Sequence, residues 1–358
     1  QWEKEQAEFT QKCRDSIPNL LPSFGYYHYE IPFSKKDEDD ETYSFKLGQY
    51  LEVEYKGLVT LTATPDSNYS FINWTVNGEV VSTENPYTAT ITEDCEFVAN
   101  FLENREIDVD ESLNCDLTLG NVNIVQGEDK YVILNVGTYI LNAQKLIINV
   151  DKDGNTPQIS LDEGGKLIAK NIEVVKDVKG DIWTLISLPF DIDIKDITIE
   201  GAKAEIDVNI QIRIYDSAYR ATYSKDGNTA NGWKEKRSGI IPANQGFAIA
   251  INSRFEGDVQ EVIFRGHDFL IDGEVKELIL NRYESIVNEG KDADWNFLGT
   301  PTLCNQEKEN GYSLYMYNSE NDSYSEYSSS QTATYLPFGA WFVQSADDFI
   351  SLSFATKS

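Results

Sequence analysis

The sequence has few of the residues on which most enzyme active sites depend. Among 358 residues there are two histidines, His28 and His267, four cysteines and one methionine. Neither histidine belongs to a Gly-x-Ser-x-Gly or His-Glu-x-x-His pattern, and the cysteines form no Cys-x-x-Cys pair. Nucleophilic catalysis usually needs a histidine base, and zinc sites need clustered cysteine or histidine. The sequence therefore favours a non-enzymatic protein without zinc.

Basic residues are also scarce: 30 lysines and arginines are outnumbered by 60 aspartates and glutamates, which gives a formal net charge of -30. Such a charge repels nucleic-acid phosphates and anionic lipid surfaces. No stretch approaches the roughly 18 apolar residues that a membrane-spanning helix needs. The sequence therefore predicts neither a nucleic-acid partner nor a transmembrane segment. No signal-peptide pattern opens the sequence, so an exported form is expected to have lost its signal peptide.

Aromatic residues, by contrast, make up 12% of the sequence, and 41% of it is hydrophobic. Aromatic side chains suit half-buried strands better than helices, and the length is sufficient for more than one core. We therefore expect a mainly β, multidomain fold. Its predicted parts are an N-terminal helix and extended segment over 1–44, a small β module over 45–105, a β-rich middle region over 106–178 and a duplicated β-sandwich region over 179–358.

The four cysteines are widely spaced, and one of them falls in a clear strand pattern. Cys95 alternates in step with Phe97, Ala99 and Phe101. Because side chains two residues apart on a strand share one face, this pattern predicts that Cys95 is a buried thiol. A disulfide between Cys95 and Cys115 is the alternative.

The small β module contains short alternating strands separated by strong turn signals. Asn77-Gly78 is a favoured pair for a two-residue hairpin turn, because both positions require positive φ. The rest of the pattern consists of the runs Gly57–Pro65, Tyr69–Trp74 and Ala99–Phe101. Together these features resemble an internalin-type B repeat, a β module of bacterial surface proteins. The resemblance implies a spacer or adhesion unit in which Trp74 is a core anchor.

The middle region has a different rhythm, in which short apolar runs alternate with glycine and aspartate turns at roughly ten-residue spacing. The runs include Tyr131–Leu134, Tyr139–Leu141, Leu146–Ile148 and Lys166–Ala169. This spacing is typical of a β-sandwich layer and also of a short β-solenoid. The sequence leaves both open.

The sandwich region repeats one pattern, in copies over about 179–275 and 290–358. The run Trp183–Phe190 returns as Trp295–Thr302. Each is followed by a strand ending in tyrosine, and then by a proline, a glycine and an aromatic-led apolar run. Both faces of the first run are apolar, which predicts a central strand with Trp183 and Trp295 in the core.

The Trp-x-Leu-Ile-x-x-Pro pattern of this region resembles a β domain that is frequent in secreted and surface proteins of Bacteroidetes. Ser187-Leu188 and Gly299-Thr300 replace the Gly-Asn that usually precedes the first proline there. The resemblance implies an extracellular or outer-surface location. Two triplets, Asp15–Ile17 and Asp216–Ala218, are similar to O-glycosylation acceptors of such bacteria.

Two tyrosine-rich segments are candidates for ligand binding. Exposed aromatic rings stack on sugar faces, while amides and carboxylates bond to the sugar hydroxyls. The candidate residues are Tyr219, Tyr223 and Trp233 in the first copy and Tyr317, Tyr324 and Tyr327 in the second. The alternative for each is an ordinary aromatic residue at a sheet edge or turn.

Calcium is the one cofactor for which the sequence offers a pattern. Asp151, Asp153 and Asn155 place oxygen-bearing side chains at alternating positions, as in loops that surround a hard cation. Thr156 and Pro157 then depart from an EF-hand, so an Asp-Gly turn is the alternative. No other cofactor is predicted.

These features favour a non-enzymatic, exported surface protein, an adhesion-like or glycan-binding scaffold whose partner is a glycan or a cell-surface protein. A carbohydrate-active enzyme stays open, because two suitably placed carboxylates are sufficient for glycoside hydrolysis. A structural component of a cell-surface assembly is the third hypothesis.

Overall fold

The computed structural model describes residues 31–35, 42–45, 56–125, 131–151, 155–223, 232–252, 258–283, 293–319, 321–346 and 351–357. Its backbone forms two compact units, residues 1–104 and 105–358. Nearly all regular structure is β, which confirms the predicted fold class. The predicted N-terminal helix lies outside the described residues, and the four-part domain division stays a prediction.

The described part of the first unit contains two antiparallel sheets. Its strands are β1 (Ile31–Lys35), β2 (Thr42–Phe45), β3 (Leu58–Leu61), β4 (Tyr69–Val76), β5 (Glu79–Ser82), β6 (Tyr87–Thr90) and β7 (Phe97–Glu103). One sheet has the order β2-β1-β3-β6 and the other the order β5-β4-β7.

Trp74 on β4 is fully buried in the core of this unit, beside Val59 and Leu61. Its indole N–H donates a 3.2 Å hydrogen bond to the Glu84 carbonyl. Asn77 and Gly78 connect β4 to β5 with φ values of 52° and 84°. Both the core anchor and the hairpin turn are therefore confirmed.

Cys95 is exposed, and Cys95 and Cys115 are both free thiols. The predicted burial of Cys95 is wrong, and so is the alternative disulfide. Strand β7 begins only at Phe97. The alternation that buries Ala99 therefore does not extend back to Cys95, which precedes the strand.

The second unit begins with strands that pair in parallel. They are β8 (Arg105–Ile107), β9 (Glu111–Ser112), β10 (Leu117–Ile124), β11 (Ile133–Gly137), β12 (Ile140–Val150), β13 (Gln158–Leu161) and β14 (Lys166–Lys179). Strands β8, β10, β12 and β14 form one parallel sheet, and β9, β11 and β13 form another. Because the chain alternates between two parallel sheets, this region is a short β-solenoid and not a sandwich layer.

Aliphatic side chains in register fill the interior of the solenoid. Val122 on β10, Leu146 on β12 and Ile172 on β14 are paired in sequence across the sheet and are fully buried. Such rows stack equivalent residues of successive coils, so each coil covers the apolar face of the one before it.

The remaining elements among the described residues are strands β15 to β31, helix α1 (Ser217–Tyr223) and a 3-10 turn over Ile194–Asp196. The strands are β15 (Thr184–Ile186), β16 (Ile192–Asp193), β17 (Thr198–Ile199), β18 (Ala202–Lys203), β19 (Ile210–Tyr215), β20 (Trp233–Glu235), β21 (Ile240–Ile241), β22 (Phe247–Ile251), β23 (Val259–Asp272), β24 (Lys276–Ile279), β25 (Trp295–Gly299), β26 (Gln306–Glu307), β27 (Leu314–Asn318), β28 (Ser323–Tyr327), β29 (Thr334–Tyr335), β30 (Ala340–Gln344) and β31 (Ser351–Phe354).

The same succession of pairings occurs twice among these strands. The order β15-β22-β19-β20 of one four-stranded sheet corresponds to the order β25-β30-β27-β28 of another. The two-stranded pairs β16-β21 and β26-β29 correspond as well, and so do the antiparallel pairs β14-β23 and β24-β31. Through β23 the first of these sets extends the solenoid sheet, in the order β18-β17-β23-β14-β12-β10-β8.

Strands β15 and β25 lie at the ends of their four-stranded orders, so the predicted central strand is wrong. Trp183 precedes β15, Trp295 begins β25, and both side chains are half-buried rather than in the core. Leu185 on β15 packs against the aromatic cluster that includes Tyr215, Phe297 and Phe342, which explains why an outer strand is apolar on both faces.

The two four-stranded sheets meet through matched main-chain contacts. The Ser187 N–H donates to the Phe338 carbonyl at 3.0 Å, and the Gly299 N–H donates to the Asn244 carbonyl at 3.0 Å. Two antiparallel bridges accompany these bonds, Ile186–Gly339 and Gln245–Leu298. Each contact has a counterpart in which the roles of the sheets are exchanged, as across a local two-fold axis.

At this axis there is room for one side chain. A Cβ atom on Gly299 would lie 1.6 Å from Ser187 Oγ and 1.9 Å from Ser187 Cβ. Ser187 is fully buried, and its backbone is held by the bond to Phe338. Ser187 and Gly299 occupy corresponding positions, so their difference lets the sheets approach this closely.

We predict that Gly299→Ser destabilises the protein by about 1–3 kcal/mol, because overpacking a closed interior site forces displacement of its neighbours. In the double variant Ser187→Gly/Gly299→Ser, the serine side chain is moved from one sheet to the other and the site again holds a single side chain. We expect this variant to recover most of the stability that Gly299→Ser loses. Urea unfolding of the parent, both single variants and the double variant measures this. A double variant as unstable as Gly299→Ser would contradict the one-side-chain constraint.

Candidate functional site

Aromatic side chains fill the space between the two four-stranded sheets. We call the following set the junction cluster: Tyr215, Trp233, Trp295, Phe297, Tyr315, Tyr317, Tyr324 and Phe342. Its centre is a stacked pair, Phe297 and Phe342, with ring centroids 4.4 Å apart and planes at 24°. Gly246 makes space for it, since a Cβ there would lie 2.7 Å from the Phe297 ring.

Two pairs of rings in the junction cluster occupy corresponding positions in the two sheets. Tyr215 pairs with Trp233 across β19 and β20, and Tyr317 pairs with Tyr324 across β27 and β28. The ring centroids are 5.3 Å apart in both pairs. The Trp233 indole also hydrogen-bonds to the Tyr324 hydroxyl. The structure thus brings Trp233, Tyr317 and Tyr324 together from both predicted segments.

Tyr324 is the open end of the junction cluster, with 47% of its surface exposed. Its neighbour Tyr317 donates a 2.7 Å hydrogen bond to Asp322 Oδ1. Burial, followed by this hydrogen bond, raises the pKa of Tyr317 well above its ordinary value. Burial and the Asp322 charge likewise raise the pKa of Tyr324. Both rings therefore remain neutral hydroxyl donors at physiological pH.

Polar groups surround the aromatic rings. Arg220 Nη1 on α1 donates to the Tyr215 hydroxyl at 3.1 Å, and the guanidinium lies 5.7 Å from the Trp295 ring centroid. Burial and a hydrogen bond to Glu326 raise the pKa of Tyr315. Rings of the junction cluster are thus in contact with a guanidinium and with carboxylates, a combination that suits a hydroxylated ligand.

The other predicted ligand residues lie elsewhere. Tyr219 is 37% exposed, and Lys234 Nζ lies 4.3 Å from its ring centroid. Because Lys234 follows Trp233 on β20, it points to the opposite face of that strand. Tyr327 packs against a hydrophobic cluster of the second copy that includes Leu314, Tyr335 and Trp341. The side chain of Tyr223, at the end of α1, lies outside the described residues.

Sequence reasoning missed Arg220 and Asp322 and did not connect Trp295 with a ligand site. Its one usable signal was loop length, because the connection from β19 to β20 includes α1 and is much longer than the connection from β27 to β28. The insertion in the first copy places Arg220 against Trp295 of the second. That contact joins residues distant in sequence.

The predicted calcium ligands are only partly within the described residues. Asp151 Oδ1 accepts a 2.8 Å bond from the Asn155 backbone N–H, and Oδ2 accepts a 2.7 Å bond from its side-chain amide. Asp153 lies outside the described residues. Burial lowers the pKa of Lys176, whose charge interacts with Asp151. These contacts close a turn, and calcium binding stays a prediction.

The glycosylation triplet of the second unit is inaccessible. Ser217, the acceptor in Asp216–Ala218, is buried at the start of α1, where Asp216 accepts a 2.7 Å bond from the Tyr219 N–H. A transferase cannot reach this hydroxyl in the folded protein. The other triplet, Asp15–Ile17, lies outside the described residues.

Comparison with protein-family models concerns the first unit, in which β3 to β7 surround the buried Trp74. Residues 52–105 match a divergent InlB B-repeat domain. The B-repeat is a surface-type β domain, and its match supports the corresponding part of the predicted resemblance. A comparison with the curated proteins found no match. Within the described residues, no helix combines the length and apolar character needed to span a membrane.

We predict that stability falls as the pH rises above about 10, where unfolded tyrosines ionise. Tyr317 contributes because its raised folded-state pKa keeps it protonated, so the unfolded state binds fewer protons at alkaline pH. Asp322→Asn removes a charge that helps to raise the pKa of Tyr317. The variant is therefore expected to lose less stability at alkaline pH than the parent. Urea unfolding at neutral and alkaline pH measures both, and equal pH dependence in parent and variant would contradict the assignment.

For calcium, we predict that millimolar calcium raises the melting temperature, because a ligand that binds only the folded state stabilises it. Asp151→Asn removes one ligand charge while keeping the side chain's shape, so it abolishes the rise. Thermal melts with calcium, with magnesium and with chelator provide the measurement. An unchanged melting temperature in calcium rules the site out.

Proposed function

We propose that this protein is a non-enzymatic, exported surface protein that binds glycans at the exposed end of the junction cluster. One observation carries the proposal: Tyr324, an exposed ring, lies in contact with Trp233 and Tyr317 and within the electrostatic influence of Asp322 and Arg220.

The chemistry of these groups matches that of a sugar. The face of a pyranose ring presents C–H groups, which pack on an aromatic face, and its edge presents hydroxyls, which need donors and acceptors. Tyr324 supplies the face. Asp322 supplies an acceptor and Arg220 supplies donors, so no change in protonation is required near neutral pH.

The proposed location rests on different features. The B-repeat is of a surface type, and the net charge of -30 favours solubility and disfavours anionic partners. We also infer that the two four-stranded sheets arose by duplication of one unit of the kind found in Bacteroidetes surface proteins. Their matched orders and reciprocal bonds support this origin.

The non-enzymatic part of the proposal is supported by the partners of the nearby carboxylates. Asp322 accepts from Tyr317 and Glu326 from Tyr315. Glycosidases need one carboxyl group as a proton donor and a second as a nucleophile or base, each aimed at the glycosidic bond. Here both carboxylates are hydrogen-bonded to tyrosines of the junction cluster. This arrangement suits groups that hold the rings in position rather than groups aimed at a glycosidic bond.

We predict that a glycan array of host, dietary and bacterial polysaccharides detects binding, and that Tyr324→Ala weakens it roughly tenfold or more, as for a central aromatic contact. Tyr131→Ala is the matched control, because Tyr131 is 38% exposed and is outside the junction cluster. Tyr219→Ala tests the other face of β20 and is expected to have little effect.

The outcomes separate the three hypotheses. A blank array overturns glycan binding and favours a structural component of a surface assembly. Hydrolysis of any bound polysaccharide, measured as the release of new reducing ends, overturns the non-enzymatic assignment. Equal losses from Tyr324→Ala and Tyr131→Ala would remove the junction cluster as the site.

A further inference from the structure

We propose that the site takes a single terminal sugar of a glycan, and not an internal stretch of a polysaccharide. This inference rests on the proposed function, and it specifies the ligand class for the same site. It comes from the angles between the rings, from their exposure and from the groups around Tyr324.

The rings of the junction cluster do not form a flat platform. The planes of Tyr317 and Tyr324 meet at 56°, those of Tyr324 and Phe342 at 75°, and those of Trp233 and Phe342 at 88°. An extended polysaccharide gains affinity when successive sugars stack on successive, nearly parallel rings. The steep tilts show that the other rings pack around Tyr324 and do not lie beside it as further stacking faces for consecutive sugars.

The exposed aromatic area is also small. Among the described members of the junction cluster, Tyr324 has 47% of its surface exposed, while the others are buried or half-buried. A phenol ring is about the size of one pyranose. The cluster therefore offers one stacking position, and its other rings hold that position in place.

Two charged groups reach the junction cluster from different elements. Asp322, in the turn between β27 and β28, accepts a 2.7 Å hydrogen bond from Tyr317, and Arg220 on α1, which the first copy contributes, donates a 3.1 Å bond to Tyr215. Carboxylate and guanidinium together provide an acceptor and donors for the hydroxyls of one sugar. Such groups discriminate a terminal sugar, whose hydroxyls are free, from an internal one, whose hydroxyls are partly consumed by linkages.

The test measures affinity against chain length. Malto-, cello- and xylo-oligosaccharides from monomer to hexamer are titrated by calorimetry, together with cyclomaltoheptaose, which has no chain end. We expect the Kd of a binding series to change by less than about twofold from dimer to hexamer, because added sugars lie beyond the contact. We expect no binding of the cyclic sugar.

A binding site with several subsites behaves differently, since each subsite that contributes about 1.4 kcal/mol tightens the Kd tenfold. A progressive tightening with length, or binding of cyclomaltoheptaose, would overturn the terminal-sugar inference while leaving glycan binding intact. If none of the three oligosaccharide series binds, the terminal-sugar inference is also overturned. The glycan array tests separately whether the protein binds glycans at all.

Variants of Tyr324 connect the length dependence to the site. Tyr324→Phe keeps the ring and is expected to hold the Kd of the terminal sugar within about threefold, whereas Tyr324→Ala is expected to weaken it roughly tenfold or more. Tyr131→Ala again is the control. If Tyr324→Phe and Tyr324→Ala lose binding equally while both remain folded by circular dichroism, stacking is not the basis of recognition and the inference fails.

Discussion

Close main-chain contact between the two four-stranded sheets is the constraint on which the second unit depends. Ser187 and Gly299 bond to the carbonyls of the facing sheet at 3.0 Å. This distance permits one side chain at the axis. The same approach explains Gly246, whose missing side chain leaves room for the Phe297 ring. Small residues at these positions allow large aromatic residues to pack beside them, which is how the junction cluster is buried over most of its area.

The proposed site comes from what differs between the two sheets rather than from what they share. Trp183 and Trp295 correspond, but Arg213 lies over the first ring at 4.4 Å and Tyr315 packs against the second at 5.0 Å. Helix α1 lies between β19 and β20, and the described residues between β27 and β28 contain no counterpart. The insertion places Arg220 next to Trp295 and within electrostatic reach of Tyr324. The two sheets correspond in their strand order, but the surface around Tyr324 has no equivalent within the part of the first copy that the structure describes.

Several features could be predicted from local sequence because their causes are local. Asn77 and Gly78 form the expected turn, since positive φ is a property of those residues and not of their surroundings. Trp74 is buried because it lies on the apolar face of β4. Cys95 shows the limit of such reasoning: its alternation with Phe97 and Ala99 was correct as a pattern, but the strand starts after it.

Composition and short patterns alone determined that this protein is mainly β and strongly acidic, and that one of its segments is similar to a B-repeat. Tertiary structure decided the rest. Alternating apolar runs look alike in a solenoid and in a sandwich, because both bury one face of each strand. The parallel pairing of Leu141 with Leu117 and Leu167 identifies the solenoid. The proposed site also depends on tertiary structure, since Trp233 and Tyr324 meet only when two distant hairpins face each other, a contact that no local pattern specifies.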